Sequence, residues 1–133
     1  MITSNHTVDN YITAFIDSFL IYKAKRFDVK GKNLLARDYK YYVADSGLRS
    51  YLLGKKADSD MGHILENIVY LELLRRGYKV YIGKVCELEV DFVAENRNGL
   101  KYYQVALSVR AEKVLERELR PLQKTGDHYP KYL

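Results

Sequence analysis

Between Met61 and Arg76 the chain offers water almost no face: Ile64, Leu65, Ile68, Val69, Leu71, Leu73 and Leu74 spread around most of the helical circumference. The segment ends with Arg75, Arg76 and Gly77, a basic last turn followed by a C-cap glycine. A helix this apolar is expected to lie buried between layers. Glu66, near the helix's middle, interrupts this otherwise apolar segment.

Three strand-like runs follow at Tyr78–Ile82, Leu88–Ala94 and Leu100–Leu107, the last two joined by the turn Glu95-Asn96-Arg97-Asn98-Gly99. Glu112–Gln123 reads as an amphipathic helix stopped near Pro121, and Tyr129–Leu133 looks like the start of a fourth strand. Strict alternation places Glu89, Asp91 and Val93 on one face of their strand and Leu88, Val90 and Phe92 on the other. It likewise groups Tyr102, Gln104 and Ala106, and the hairpin turn brings Asp91 near Gln104.

Upstream, Val8–Tyr22 has the i, i+3, i+4 spacing of an amphipathic helix, with Thr7 as its expected N-cap. Lys25–Phe27 and Leu34–Ala36 flank Asp28-Val29-Lys30-Gly31-Lys32, a glycine turn that predicts a hairpin. A helix followed by a basic hairpin is how a winged helix ends. Lys40–Ala44 reads as a strand, and Gly47–Leu53 as a short helix capped by Asp45-Ser46 and closed by Gly54.

At 133 residues the chain suits one domain or one domain with an appendage. The polar stretch Met1–Asn10 lacks the layout of a signal peptide, and no apolar run approaches the roughly 20 residues of a membrane helix. The single cysteine, Cys86, cannot form an internal disulfide, so a cytoplasmic location is the simplest expectation. The net charge of +5 permits contact with phosphates or an acidic partner without forming a basic stripe. Thirteen tyrosines and no tryptophan are unusual. Their pairing with lysine, as in Lys40-Tyr41-Tyr42 and Lys101-Tyr102-Tyr103, fits either strand filling, the preferred reading, or stacking on nucleic acid.

The order helix, three strands, helix, strand, with an acid in the first helix and another in the second strand, resembles the PD-(D/E)xK restriction-endonuclease-like superfamily. The wording is closer still to a domain of unknown function that follows the AAA module in many prokaryotic ATPases. The stretches that carry this likeness are Tyr42-Val43-Ala44-Asp45-Ser46-Gly47-Leu48-Arg49, Gly62 to Leu73, Glu89-Val90-Asp91-Phe92-Val93, Tyr103-Gln104-Val105 and Arg117 to Leu122, and together they span nearly the whole chain. The resemblance implies a partial winged-helix lead-in over residues 1–38 and a restriction-endonuclease-like α/β domain over residues 39–133, cut short at its last strand.

In that superfamily carboxylates hold a hard divalent cation, usually magnesium, and a lysine assists the attacking water. By position the acids are Glu66 and Asp91, but Gln104 stands where the third-strand acid belongs and Ala106 where the lysine belongs. Lys101 lies on the opposite face and is a poor substitute. No cofactor is therefore expected, and magnesium only if the site works despite its losses. Glu66 and Asp91 are equally open to a structural role, for instance with Glu66 paired to Arg49. The histidines His6, His63 and His128 show no zinc-ligand spacing, and no phosphate-binding P-loop is present.

The expected function is a non-catalytic C-terminal module of an AAA-type ATPase that binds nucleic acid or a protein partner. Alternatives are an active magnesium-dependent nuclease with a lysine from elsewhere, and a purely structural or oligomerisation domain. Expected partners are the ATPase module of the same protein, DNA through Lys25, Arg26, Lys30, Lys32 and Arg49, and no membrane. A two-fold homodimer is expected to cover the N-terminal helix or the incomplete last strand.

Overall fold

A computed structural model describes residues 4–54 and 60–133, so the first three residues of the polar N-terminal stretch lie outside it. Helix α1 spans Asn5–Asp17 and starts earlier than expected, because Ser4 rather than Thr7 caps it; the Ser4 hydroxyl accepts from the Thr7 N–H at 3.3 Å. It also ends earlier. Phe19 takes φ +57°, which breaks the helix, and Ile21–Ala24 become strand β1.

Strands β2 (Arg26–Asp28) and β3 (Asn33–Leu34) form the predicted hairpin, with Phe27 opposite Leu34. This hairpin does not stand apart as a wing. Strand β2 pairs in parallel with β5 (Lys79–Val85), so the hairpin is the edge of the main sheet. Strand β4 (Lys40–Val43) pairs antiparallel with β1 in a separate two-stranded sheet. Both ladders cross the expected boundary between residues 38 and 39, so the hydrogen bonding does not divide there.

Helix α2 (Ser46–Leu53) starts at Asp45, whose carboxylate accepts from the Gly47 and Leu48 N–H groups, as the sequence predicts. Then follow helix α3 (Met61–Arg75), β5, β6 (Leu88–Asn96), β7 (Gly99–Tyr103), helix α4 (Glu112–Lys124) and β8 (Lys131–Tyr132). The predicted order of helix, three strands, helix and strand is met. The six strands run β3-β2-β5-β6-β7-β8 in one mixed sheet, with β8 parallel to β7.

Two apolar clusters fill the two faces of this sheet. Tyr70 and Leu73 of α3 join Tyr42, Val80, Ile82, Phe92 and Ala94. Leu122 of α4 joins Val29, Val85, Val90, Val93 and Tyr102. Helix α3 is thus covered on one side, not sandwiched: Met61 and Ile68 stay exposed.

The alternation expected along β6 fails at Asp91. Tyr81 pairs with Val93 and Gly83 with Val90, so β6 carries one residue more than β5 in that interval. Such a bulge resets the faces. Val90 and Val93 therefore share the α4 side, while Phe92 turns to α3. Gly83 permits it, since a Cβ there would lie 2.9 Å from both Val90 Cβ and Val93 Cγ2. Strand β7 is shorter than predicted and stops at Tyr103.

Candidate functional site

The position of Glu66 follows from its neighbour. The buried Asn67 side chain accepts from the Val43 N–H and donates to the Val43 carbonyl, both at 2.9 Å. These bonds imitate one rung of a sheet and fix α3 along β4. Glu66 is thereby turned onto the other β4 side chains: the Tyr42 hydroxyl donates to its Oε1 at 2.6 Å and the Lys40 ammonium lies 3.2 Å from the same oxygen. Lys40 reaches on to Glu89 Oε1 at 2.5 Å, and Arg26 holds the second Glu89 oxygen at 2.5 Å. Arg49, expected as a partner of Glu66, pairs with Asp60 instead.

Asp91 sits within the bulge. Its Oδ2 accepts from the Val105 N–H at 2.7 Å, and its own N–H donates to Gln104 Oε1 at 3.3 Å. The Gln104 amide then donates to Glu118 Oε2 at 3.1 Å, while Arg117 holds the other Glu118 oxygen at 2.8 Å. Glu66, Asp91 and Gln104 line one open cleft of about 380 Å³, together with Asp60, His63 and Glu118. The structure brings the three predicted residues together.

Burial pushes the Asp91 carboxyl up to about 6; the Val105 hydrogen bond opposes this, and the charge of Glu66 adds to it. Burial also raises the Tyr42 hydroxyl, with Glu66 adding to the effect. Burial works against the charge on Lys40, but its contacts with Glu89 and Glu66 outweigh it and leave the ammonium above its usual range. Glu89 is likewise lowered, because Lys40 and Arg26 outweigh the burial that would raise it.

Part of the oxygen set that magnesium would use is already engaged within the chain. A lysine ammonium already lies on Glu66, Asp91 Oδ2 is taken by a backbone N–H, and Gln104 turns its amide nitrogen to Glu118. Among the described residues, no three His, Cys, Asp or Glu side chains are placed to hold a metal ion. Lys101 is remote, donating to the Tyr78 hydroxyl at 2.9 Å.

Sequence reasoning did not pick out Lys40, Glu89 or Glu118 as members of this cluster. The i, i+2 spacing of Lys40 and Tyr42 on a predicted strand carried an unused signal, since strand alternation places both side chains on one face. Of the basic candidates for nucleic acid, Arg26 and Arg49 are paired to acids. Lys30 donates to the Thr125 carbonyl at 3.0 Å, and Lys32 lies 2.7 Å from Asp127. Lys25 is exposed. Among the described residues, no helix is long and apolar enough to cross a membrane.

Residues 2–59 match a family described as "Domain of unknown function (DUF8612)". The chain is 45% identical over 107 residues to an uncharacterised protein of Haemophilus influenzae, covering 80% of this chain and 26% of that protein. It is 33% identical over 125 residues to an uncharacterised protein of Methanocaldococcus jannaschii, covering 91% of this chain and 27% of that one. The chain thus spans about a quarter of the length of the curated relatives it matches. No solved structure matches.

Proposed function

We propose that the chain is a non-catalytic module of a longer protein of the AAA-type ATPase kind, and that it docks onto the rest of that protein through helices α1 and α2. The observation that carries this reading is the apolar outer surface of the two helices. No α1 residue is buried, and Tyr11, Phe15, Phe19, Leu20, Tyr51 and Leu52 are all exposed. Phe15, Leu20, Leu48 and Leu52 border an apolar groove of about 280 Å³. Contiguous apolar surface on a small module marks a contact. Relatives more than three times as long supply a partner within the same polypeptide.

Two further observations support the reading. The order α3, β5, β6, β7, α4, β8 is the one the restriction-endonuclease-like resemblance calls for. The acids at its site are bound to one another's neighbours, leaving them a structural network. A protein partner is favoured over DNA because Arg26, Lys30, Lys32 and Arg49 are already engaged within the chain. The test is calorimetry of this module against the remainder of the polypeptide that carries it, produced separately. Saturable binding that Phe15→Asp weakens at least tenfold is expected. Salt-sensitive DNA binding without protein binding refutes the docking reading.

One observation favours a second reading, an active nuclease. Lys40 brings an ammonium to Glu66 from a strand where the resemblance did not place one. Magnesium-dependent DNA cleavage that Asp91→Ala abolishes would establish it.

A further inference from the structure

Carboxylates from two separate elements, Glu66 of α3 and Glu89 of β6, converge on a single positive group. The Lys40 Nζ lies 3.2 Å from Glu66 Oε1 and 2.5 Å from Glu89 Oε1. Strand pairing fixes where that group arrives. Lys40 sits opposite Ala24 in the β1–β4 ladder, and Ala24 is buried in the core beside Tyr42. The lysine stem therefore enters from a held strand, not from a loop that can swing aside. The remaining Glu89 oxygen is closed by Arg26.

We infer that Lys40 is the resident cation of this acid cluster, standing where a divalent ion would otherwise bridge Glu66 and Glu89, and that the native chain takes no divalent ion there. An ammonium and a divalent cation about 4 Å apart repel enough to weaken metal binding on the order of 30-fold, even at the dielectric constant of water. The effect is larger in a half-buried cleft. The inference is independent of which surface docks the module. It also separates the nuclease reading, in which metal and lysine must share the site, from the structural one.

The experiment titrates manganese(II) into the native protein, Lys40→Met and Lys40→Arg at pH 8, following free manganese by electron paramagnetic resonance. Lys40→Met retains the length of the stem and removes the charge; Lys40→Arg retains the charge. The native protein and Lys40→Arg are expected to show no saturable site below 1 mM, a concentration set on the order of ordinary weak cation sites. Lys40→Met is expected to bind at least tenfold more tightly, and Glu66→Gln in that background is expected to remove the gain. Native protein that binds manganese as tightly as Lys40→Met, or a folded Lys40→Met that gains no binding, overturns the inference. If Lys40→Met does not fold, the native protein and Glu66→Gln decide the matter. Saturable native binding that Glu66→Gln abolishes overturns it, and equally weak, unsaturable signals from both sustain it. The docking test reads a protein–protein isotherm, so failure of one reading does not imitate failure of the other.

Discussion

Asp91 is a half-buried acid beside Glu66, and its carboxyl is pushed up to about 6 chiefly by burial. In an unfolded chain the same group titrates near about 3.9. Between those values the folded state binds the extra proton, so this group makes stability fall as pH rises from about 4 to about 6. Above that window the whole penalty, on the order of 3 kcal/mol before solvent screening, is in place. Asp91→Asn retains an oxygen to accept from the Val105 N–H and carries no charge. It is expected to be about 1–3 kcal/mol more stable than the native chain at pH 8 in urea melts, with the difference gone by pH 4. A variant less stable at pH 8 would show that the charge itself is needed in the cleft. Glu66 has the opposite character, since it accepts from the Tyr42 hydroxyl and Lys40 and its side chain is only 14% exposed. Glu66→Ala strands the Tyr42 hydroxyl and leaves Lys40 with Glu89 alone, and is expected to cost about 1–3 kcal/mol at pH 7. Melts indistinguishable from native would place those donors in water.

Among the elements, the β6 bulge decides which side chains meet in the cleft, and Gly83 is the residue it depends on. A methyl group there collides with Val93 Cγ2 and with Val90 Cβ, and no side-chain rotation moves the latter away. Gly83→Ala is expected to destabilise by about 1–3 kcal/mol in urea melts, whereas a cost near zero would show that β6 slides easily. Helix α3, the hairpin β2–β3 and the nearness of Asp91 to Gln104 were legible in the sequence, because each follows from local periodicity or from a turn that sets register. The turn before Gly99 pairs Phe92 with Tyr103, which leaves Asp91 opposite Gln104. The bulge was not legible, since period-two alternation contains no term for an inserted residue. Lys40 and Glu118 were missed for a different reason. Lys40 meets Glu66 from 26 positions away, and Glu118 meets Gln104 from 14, so only tertiary packing brings them in. The parallel pairing of β2 with β5, which draws the hairpin into the main sheet, is equally non-local.

At the scale of the whole molecule, the sheet and its two clusters form a core to which the outer faces of α1 and α2 add little. Tyr51 is 83% exposed and Leu52 72%, although both are large apolar groups on a short helix. Truncating a side chain already in water removes no packing, so surface changes of this kind stay within about 0.5 kcal/mol. Glutamine is a good helix former, so replacement with it preserves the propensity of α2. The double variant Tyr51→Gln, Leu52→Gln is therefore expected to melt within about 0.5 kcal/mol of the native chain. It should also bind less of a hydrophobic dye and bind the remainder of the longer polypeptide at least tenfold more weakly. These outcomes separate a docking face from a misjudged core. If the face is used for docking, dye and partner binding fall while the melt stays in place. If α2 instead packs inward in solution, the melt itself drops by more than about 1 kcal/mol, as loss of buried apolar groups requires, and the proposed docking face is lost with it.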